Sequence, residues 1–190
     1  MNRCKRIART GVVTTAIALA LCGCGTKDGE GDPVTESRKT AAAPRSTISM
    51  EQAIGNLQTM RHEMFDRLDA RFGKKPWKIA PNEEAGIGRS GCHDDTVKDG
   101  ETAYLPIYGF AGTFPEDQWQ EAFSIVRKVG ATYGFDDVTL VVDRPGDHEI
   151  DARDHTGAQY VFTMSKGTGL LIHSGCHAWD TPPAPGRAPE

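Results

Sequence analysis

Residues 148–174 have the sequence HEIDARDHTGAQYVFTMSKGTGLLIHS, which indicates the fold class most directly. Its segments between turn sequences predict strands at His148–Ala152, Gln159–Met164 and Leu170–Ser174. Asp154-His155-Thr156-Gly157 and residues 165–169 (SKGTG) are typical turn sequences between them. Strands joined by short turns, with no helix in between, pair antiparallel. The stretch therefore predicts a mainly antiparallel sheet.

Earlier residues add three predicted strands and two predicted helices. The strands are Trp77–Ile79, Ala103–Phe110 and Val138–Asp143. The first helix opens at Ser49, with Gln52 completing a capping box, and stops at Gly73. Its apolar stripe is Met50, Ala53, Leu57, Met60, Met64 and Leu68.

The second helix is predicted to begin near Thr113, with Thr113 as its cap and Glu116 reaching back, and to end at Gly134. Its predicted buried face is Trp119, Ala122, Phe123, Val126 and Tyr133. With strands that follow one another and only two helices, the pattern predicts a two-layer α+β domain with both helices on one face of the sheet.

An export signal precedes this domain. Residues 1–9 carry four basic residues and no acidic one, and the apolar run Thr10–Leu21 is too short to span a bilayer. The sequence Leu21-Cys22-Gly23-Cys24 follows, which is the pattern that lipoprotein signal peptidase prefers. We therefore predict a lipoprotein signal peptide at residues 1–23 and lipidation, including an acyl chain such as palmitate, at Cys24.

Two alternatives to this interpretation stay open. Cys22 is the rival lipidation site, although the bulky Leu21 would then occupy the small-residue position. The run could also remain as an uncleaved anchor helix, but its shortness argues against that. The remaining chain divides into a lipidated cysteine and flexible tether at residues 24–47, one domain at 48–180, and a disordered proline-rich tail at 181–190.

Charge narrows the range of partners. The chain has a net charge of −4, and loss of the signal leaves 18 basic and 26 acidic residues, a net charge of −8. An acidic body disfavours nucleic acid, which is held mainly through Lys and Arg. It also disfavours adhesion of the protein surface to an anionic membrane. We expect the lipid to anchor the protein on the extracytoplasmic face of the cell membrane.

The tetrapeptide Ser-Gly-Cys-His occurs twice, at residues 90–93 and 174–177. In an exported domain, Cys92 and Cys176 most simply form a disulfide. The alternatives are free thiols or a Cys₂His₂ zinc site with His93 and His177. Adjacent Cys and His side chains diverge, and zinc usually uses wider spacing, so we predict no metal.

Residues 62–66 (HEMFD) resemble a damaged metalloprotease box, with Asp66 where the second histidine belongs. Met64 lies in the apolar stripe, so His62 and Asp66 fall on the solvated side of the helix. No nucleophile elbow and no phosphate-binding glycine loop occurs. The sequence therefore predicts no catalytic residue and no cofactor.

Aromatic residues suggest a surface for a ligand or partner. Alternation along Ala103–Phe110 sends Tyr104, Tyr108 and Phe110 to one face of the sheet, and Leu105 and Ile107 to the other. If the helices cover only one face, Tyr104, Tyr108 and Phe110 are candidate ligand-binding residues. The alternative is that they are simply core.

Several motifs of the chain resemble those of the LppA-like lipoproteins of mycobacteria and related actinobacteria. These are the lipobox, the first helix, Trp77-Lys78, Gly91-Cys92, Phe110–Phe114, Ile125-Val126-Arg127, Tyr133-Gly134 and Gly175-Cys176. The resemblance implies an extracytoplasmic lipoprotein, and it supplies no established catalytic residues.

Two classes of function remain. The favoured one is a non-enzymatic envelope lipoprotein that binds a small molecule, a lipid or another envelope protein. The alternative is an envelope hydrolase that uses His93, His173 or His177 with Asp94. A pocket in which a histidine meets a carboxylate would favour the enzyme, and an aromatic-lined face or groove would favour binding.

Cys24→Ala is expected to release the protein from the membrane or to leave the precursor uncleaved, because the thiol that receives diacylglyceryl is gone. Membrane fractionation and intact mass measure both effects. Cys22→Ala serves as the matched control and is expected to leave anchoring intact. Diacylglyceryl found on Cys22 would show that the assigned site is wrong.

Overall fold

Two helices and eight antiparallel strands form the part of the chain that the structure describes. This computed structural model describes residues 48–81, 83, 86–92 and 97–182. The helices are α1 (Met50–Phe72) and α2 (Trp119–Thr132). The strands are β1 (Lys78–Ile79), β2 (Gly88–Gly91), β3 (Glu101–Tyr104), β4 (Tyr108–Phe110), β5 (Asp137–Arg144), β6 (Asp147–Arg153), β7 (Gln159–Met164) and β8 (Thr168–His173). The predicted α+β class is confirmed. No described helix is long and apolar enough to cross a membrane.

Helix α1 begins and ends where the sequence predicts. The Gln52 amide donates to Ser49 Oγ at 3.4 Å, and the Ser49 amide donates to Gln52 Oε1 at 3.3 Å, so the capping box is formed. Gly73 follows the helix at φ 78°, a backbone conformation that glycine adopts without strain. The predicted stripe is buried, and Ile54, Arg61 and Phe65 join it.

Helix α2 begins later than predicted. A short 3-10 turn at Glu116–Gln118 precedes it, and no side chain caps either segment. Glu116 does not reach back to Thr113, because its carboxylate accepts from the Gly146 amide at 3.1 Å and lies 2.9 Å from His148 Nε2. The predicted cap is therefore wrong. The helix ends at Thr132 and Gly134 follows at φ 89°.

Strand β8 organises the sheet. It pairs with β7 along one edge, and with β4 and then β3 along the other. Beyond β7 the order continues through β6 to β5, while β1 and β2 pair with β4 and β3 on the opposite side. The four-residue strand β2 was not predicted, since its sequence Gly-Arg-Ser-Gly carries no apolar alternation.

The core lies between the helices and one face of this sheet. Strands β6, β7 and β8 alternate buried with half-buried residues, and the buried rows face the helices. Tyr160, Phe162 and Met164 share the buried face of β7. The other face of the sheet carries no helix in the described part of the chain.

A disulfide joins Cys92 to Cys176, the pairing that the sequence predicts, with Cα atoms 5.8 Å apart. Gly100 lies against it so closely that an added Cβ would come within 2.7 Å of Cys176 Sγ. The two sulfurs are bonded to each other, so neither thiol is available for the zinc alternative.

Residues 176–181 then run back to the start of α1. His177 exchanges two backbone hydrogen bonds with Glu101 at 2.9 and 3.0 Å, and the Met50 amide donates to Ala178 O at 2.8 Å. The amides of Asp180 and Thr181 donate to the Glu51 carboxylate at 3.1 and 3.0 Å. Burial alone would raise the pKa of Glu51, but hydrogen bonds from these two amides, from the Glu51 amide and from Ser49 together lower the pKa. The two ends of the described domain are thus joined.

Reduction of the disulfide is expected to lower the free energy of unfolding by about 4 kcal/mol, because Cys92 and Cys176 close a long loop in the unfolded chain. They are 84 positions apart in sequence. Denaturant unfolding with and without reductant measures the loss. The double variant Cys92→Ser/Cys176→Ser should unfold at the same denaturant midpoint as the reduced protein, and added reductant should not change that midpoint. Equal midpoints for oxidised and reduced protein would contradict this role.

Candidate functional site

A pocket of about 460 Å³ opens at the end of the domain where α1 begins and α2 ends. Its apolar wall comes from α1, from the segment after α2 and from the β6–β7 turn. The apolar residues are Ile48, Ala53, Leu57, Phe135 and Ala158. A concave site of this size, apolar with a few polar groups, is typical of small-molecule binding.

The β6–β7 turn presents one polar side of the pocket. Asp154 Oδ1 accepts from the backbone amides of Thr156 and Ala158 at 2.8 and 2.9 Å, and from Thr156 Oγ1 at 2.8 Å. Gly157 takes φ 88°, which completes the tight turn. The Asp154 carboxylate is thus held in place by its own turn, while the next residue, His155, is exposed at the pocket.

His177 forms part of the opposite wall. The residue is only 3% exposed, and its Nδ1 lies 3.2 Å from the carbonyl oxygen of Ile48. A carbonyl oxygen only accepts, so Nδ1 carries the hydrogen of this bond. No hydrogen bond joins Nε2 to any residue within the described ranges. The backbone pairing with Glu101 and the adjacent disulfide fix the position of the ring.

Serine, histidine and aspartate all line this pocket, yet they are not linked as a catalytic triad. Ser174 Oγ donates to Gly175 O at 2.7 Å and accepts from the Ala103 amide at 2.9 Å. The Asp154 carboxylate is bonded within its turn. Among the residues that the structure describes, no hydrogen bond connects Ser174, His177 and Asp154. Nucleophilic catalysis requires such a link between nucleophile and base.

His173, another residue of the hydrolase hypothesis, lies on the helix-free face of the sheet. Its Nδ1 is 3.0 Å from Ser174 O and its Nε2 is 2.7 Å from Gln159 Oε1. Gln159 in turn donates to Asp151 on the next strand. The ring is therefore in a polar row across the sheet and not in the pocket. His93 and Asp94 lie outside the described residues.

The three aromatic residues predicted to share one face are divided between the two faces. Tyr104 pairs with His173 on the helix-free face and is 43% exposed. Tyr108 and Phe110 pair with Leu170 and Thr168 on the helix side, and Phe110 is buried. The predicted alternation fails because Tyr104 and Tyr108 are four positions apart, while their partners on β8, His173 and Leu170, are three positions apart.

Tyr108 contacts helix α1 through two side chains. Its ring lies 6.0 Å from that of Phe65, and the Arg61 guanidinium carbon lies 4.2 Å above its centroid. Arg61 Nε and Nη1 are buried and have no hydrogen-bond partner among the described residues. Burial lowers the pKa of Arg61 from its usual value, and the nearby Tyr108 partly opposes this shift. Tyr108 is thus a packing residue of the interface between the first helix and the sheet.

A second polar cluster, at the start of α2, was not predicted. The buried His148 places Nδ1 2.8 Å from Asp143 Oδ1 and Nε2 2.9 Å from Glu116 Oε1. Its ring stacks on Trp119 at 4.6 Å between centroids. These contacts join β5, β6 and α2 at the end of the domain opposite the pocket turn, so they hold the fold together and form no part of the pocket.

Taken together, the topology and the pocket define a two-layer α+β domain with a pocket at one end. The family model described as "LppA: Lipoprotein confined to pathogenic Mycobacterium" matches residues 27–179. The chain belongs to this LppA family, as its motifs predicted. A lipoprotein family implies a membrane-associated protein of the cell envelope.

Two solved structures share the fold. The lipoprotein LppA from Mycobacterium tuberculosis is 19% identical, and the match covers 75% of this chain and 87% of that one with a TM-score of 0.57. A DUF4853 family protein from Actinomyces odontolyticus is 15% identical, with coverage of 75% and 78% and a TM-score of 0.53. At these identities the likeness establishes the fold alone. No curated protein sequence matches the chain.

Tyr108→Ala is expected to lower the free energy of unfolding by about 2–4 kcal/mol, because it removes a ring packed between Phe65 and Arg61. Tyr104→Ala is the matched control, and it should cost less than about 1 kcal/mol since the side chain is exposed. Denaturant unfolding of both variants makes the comparison. Equal losses would contradict the assignment of the two rings to different faces.

Proposed function

We propose that this protein is a lipid-anchored envelope lipoprotein whose domain binds a small amphipathic ligand in the pocket between α1, α2 and the β6–β7 turn. The observation that carries the proposal is the pocket itself, with a volume of about 460 Å³. Such a volume accommodates a ligand of about 15–20 non-hydrogen atoms, within the usual range of small-molecule sites.

The walls of the pocket support an amphipathic ligand. Leu57 and Phe135 belong to the hydrophobic core, so one side of the cavity continues the apolar interior. Asn56, Thr132 and His155 are exposed at the pocket and supply polar groups to its opening. A molecule with an apolar body and a polar head would bury the first against the core and leave the second near water.

Partly buried Tyr133 closes the side near α2. Its hydroxyl lies 3.3 Å from Glu63 Oε2 across to the first helix. Burial and then this contact raise the pKa of Tyr133, so the phenol stays protonated at neutral pH. The contact ties the two helices together beside the cavity, which favours a pocket that exists before the ligand arrives.

The anchor would hold this pocket close to the envelope membrane. The predicted lipid on Cys24 and the first described residue of the domain, Ile48, are separated by the tether, and Ile48 itself lines the pocket. The site would thus lie at the end of the domain to which the anchored segment leads. The hydrolase alternative has weaker support, because the described histidines of the pocket do not contact a carboxylate.

Mass spectrometry of small molecules that co-purify with the membrane-extracted protein tests the proposal. We expect a stoichiometric ligand in the native protein and its loss in Asn56→Trp/Thr132→Trp, which places two indole rings at the exposed lining positions. His62→Trp/Asp66→Trp is the matched control, since it makes the same change on the exposed side of α1 away from the pocket. Equal recovery from both double variants, with unchanged melting temperatures, would place the ligand elsewhere and contradict the proposal.

A further inference from the structure

The described residues that line the pocket carry a negative charge but no permanent positive charge. The described lining residues include one carboxylate, Asp154, and no lysine or arginine. The two histidine side chains of the lining, His155 and His177, offer an anion a positive partner only when they are protonated. Burying an anionic head beside a fixed carboxylate, without a compensating cation, is unfavourable.

The hydrogen-bonding capacity of the lining residues further restricts the class of ligand. The Nδ1 hydrogen of His177 is committed to the Ile48 carbonyl oxygen, so in the neutral imidazole Nε2 carries a lone pair and accepts. This ring is 3% exposed, and its Nε2 has no partner among the described residues. Asp154 likewise only accepts, and its Oδ2 receives a single contact, from Thr156 Oγ1 at 3.0 Å. Two acceptors with spare capacity therefore line the same cavity.

We infer that the pocket selects an uncharged acyl ligand whose head group donates a hydrogen bond, an amide N–H or a hydroxyl, to Nε2 of His177. The inference rests on the proposed function and specifies its ligand. The apolar wall formed by Leu57, Phe135 and Ala158 takes the acyl chain. His177 is then a specificity residue, because it leaves a head that cannot donate facing an unpaired acceptor.

The backbone of the domain keeps this acceptor in place. His177 is held through its main chain by Glu101, and its neighbour Cys176 is bonded to Cys92. Its ring is held by the backbone of Ile48, the residue at which the described domain begins. Because these three contacts already fix the ring, little conformational entropy is lost when a ligand donates to Nε2. This preorganisation increases the difference in affinity between donating and non-donating head groups.

Octanamide and octanoate provide a test, because the two molecules are nearly identical in size and differ in whether the head donates or carries negative charge. The full lipidated chain in phosphatidylcholine nanodiscs is titrated with each, and empty nanodiscs correct for partition. We expect octanamide to bind at least about tenfold more tightly than octanoate. Equal affinities, or a preference for octanoate, would overturn the inference.

Two variants assign the preference to the named side chains. Asp154→Asn keeps an acceptor oxygen for the turn but removes the charge, so octanoate should gain affinity and narrow the gap by about threefold or more. Asp66→Asn, on the exposed side of α1, is the control and should change neither affinity. His177→Phe preserves the ring but removes both nitrogens, and octanamide should then lose most of its advantage. If His177→Phe fails to fold, methyl octanoate, which is uncharged and has no donor, is titrated against the unchanged protein, and an affinity equal to that of octanamide would contradict the assignment to His177.

These outcomes separate the inference from the proposed function. If both probes bind equally and Asn56→Trp/Thr132→Trp abolishes both, the pocket is a binding site and only the head-group selection is wrong. If neither probe binds at millimolar concentration, the acyl class is wrong. The pocket proposal then stands or falls on the co-purification experiment alone.

Discussion

The antiparallel pairing of β8 on both of its edges is the interaction on which the rest of the structure depends. One edge binds β7 and so connects to the β5–β6–β7 meander, and the other binds β3 and β4. The buried row of β8, Thr168, Leu170 and Ile172, lies beneath the helices. Without this strand the sheet would separate into two pieces, each with an open edge and half of a core.

The pocket is a by-product of the same arrangement. Beyond His173 the chain stays beside β3, where His177 bridges Glu101, and the Cys92–Cys176 bridge holds residues 174–177 near the start of α1. The β6–β7 turn projects beside this segment, so a gap remains between the turn and the two helices. Polar side chains that satisfy their own backbone, such as Asp154, line the gap instead of filling it. The cavity therefore depends on both the bridge and the turn.

Much of this fold could be predicted from local pattern. The capping box at Ser49, the strands β5 to β8 and the disulfide all depend on signals that lie within a few residues or on the export context. The division of residues 103–110 into two strands could not be predicted from alternation, because Pro106 has no amide hydrogen and the pairing with β8 shifts by one residue there. The pocket could not be predicted from the sequence either, because its lining comes from four segments that meet only after folding. These are residues 48–57, 132–135, 154–158 and 174–177. The turn sequence Asp154-His155-Thr156-Gly157 and the histidine beside Cys176 were visible, but nothing in the sequence placed them side by side.

The position of β8 also determines the order in which the molecule can be completed. It is the last strand that the structure describes, yet it lies in the middle of the sheet, and its partner Tyr108 precedes Leu170 by some sixty positions. A chain that emerges from its amino terminus can form α1 and the β5–β7 meander early, but β3 and β4 must wait for residues 168–173 before they pair with the sheet. Non-local closure of this kind is slow. In a chain that is translocated from its amino terminus, the sheet is therefore completed only once residues 168–173 have emerged, and the segment that follows them directly brings Cys176 to Cys92.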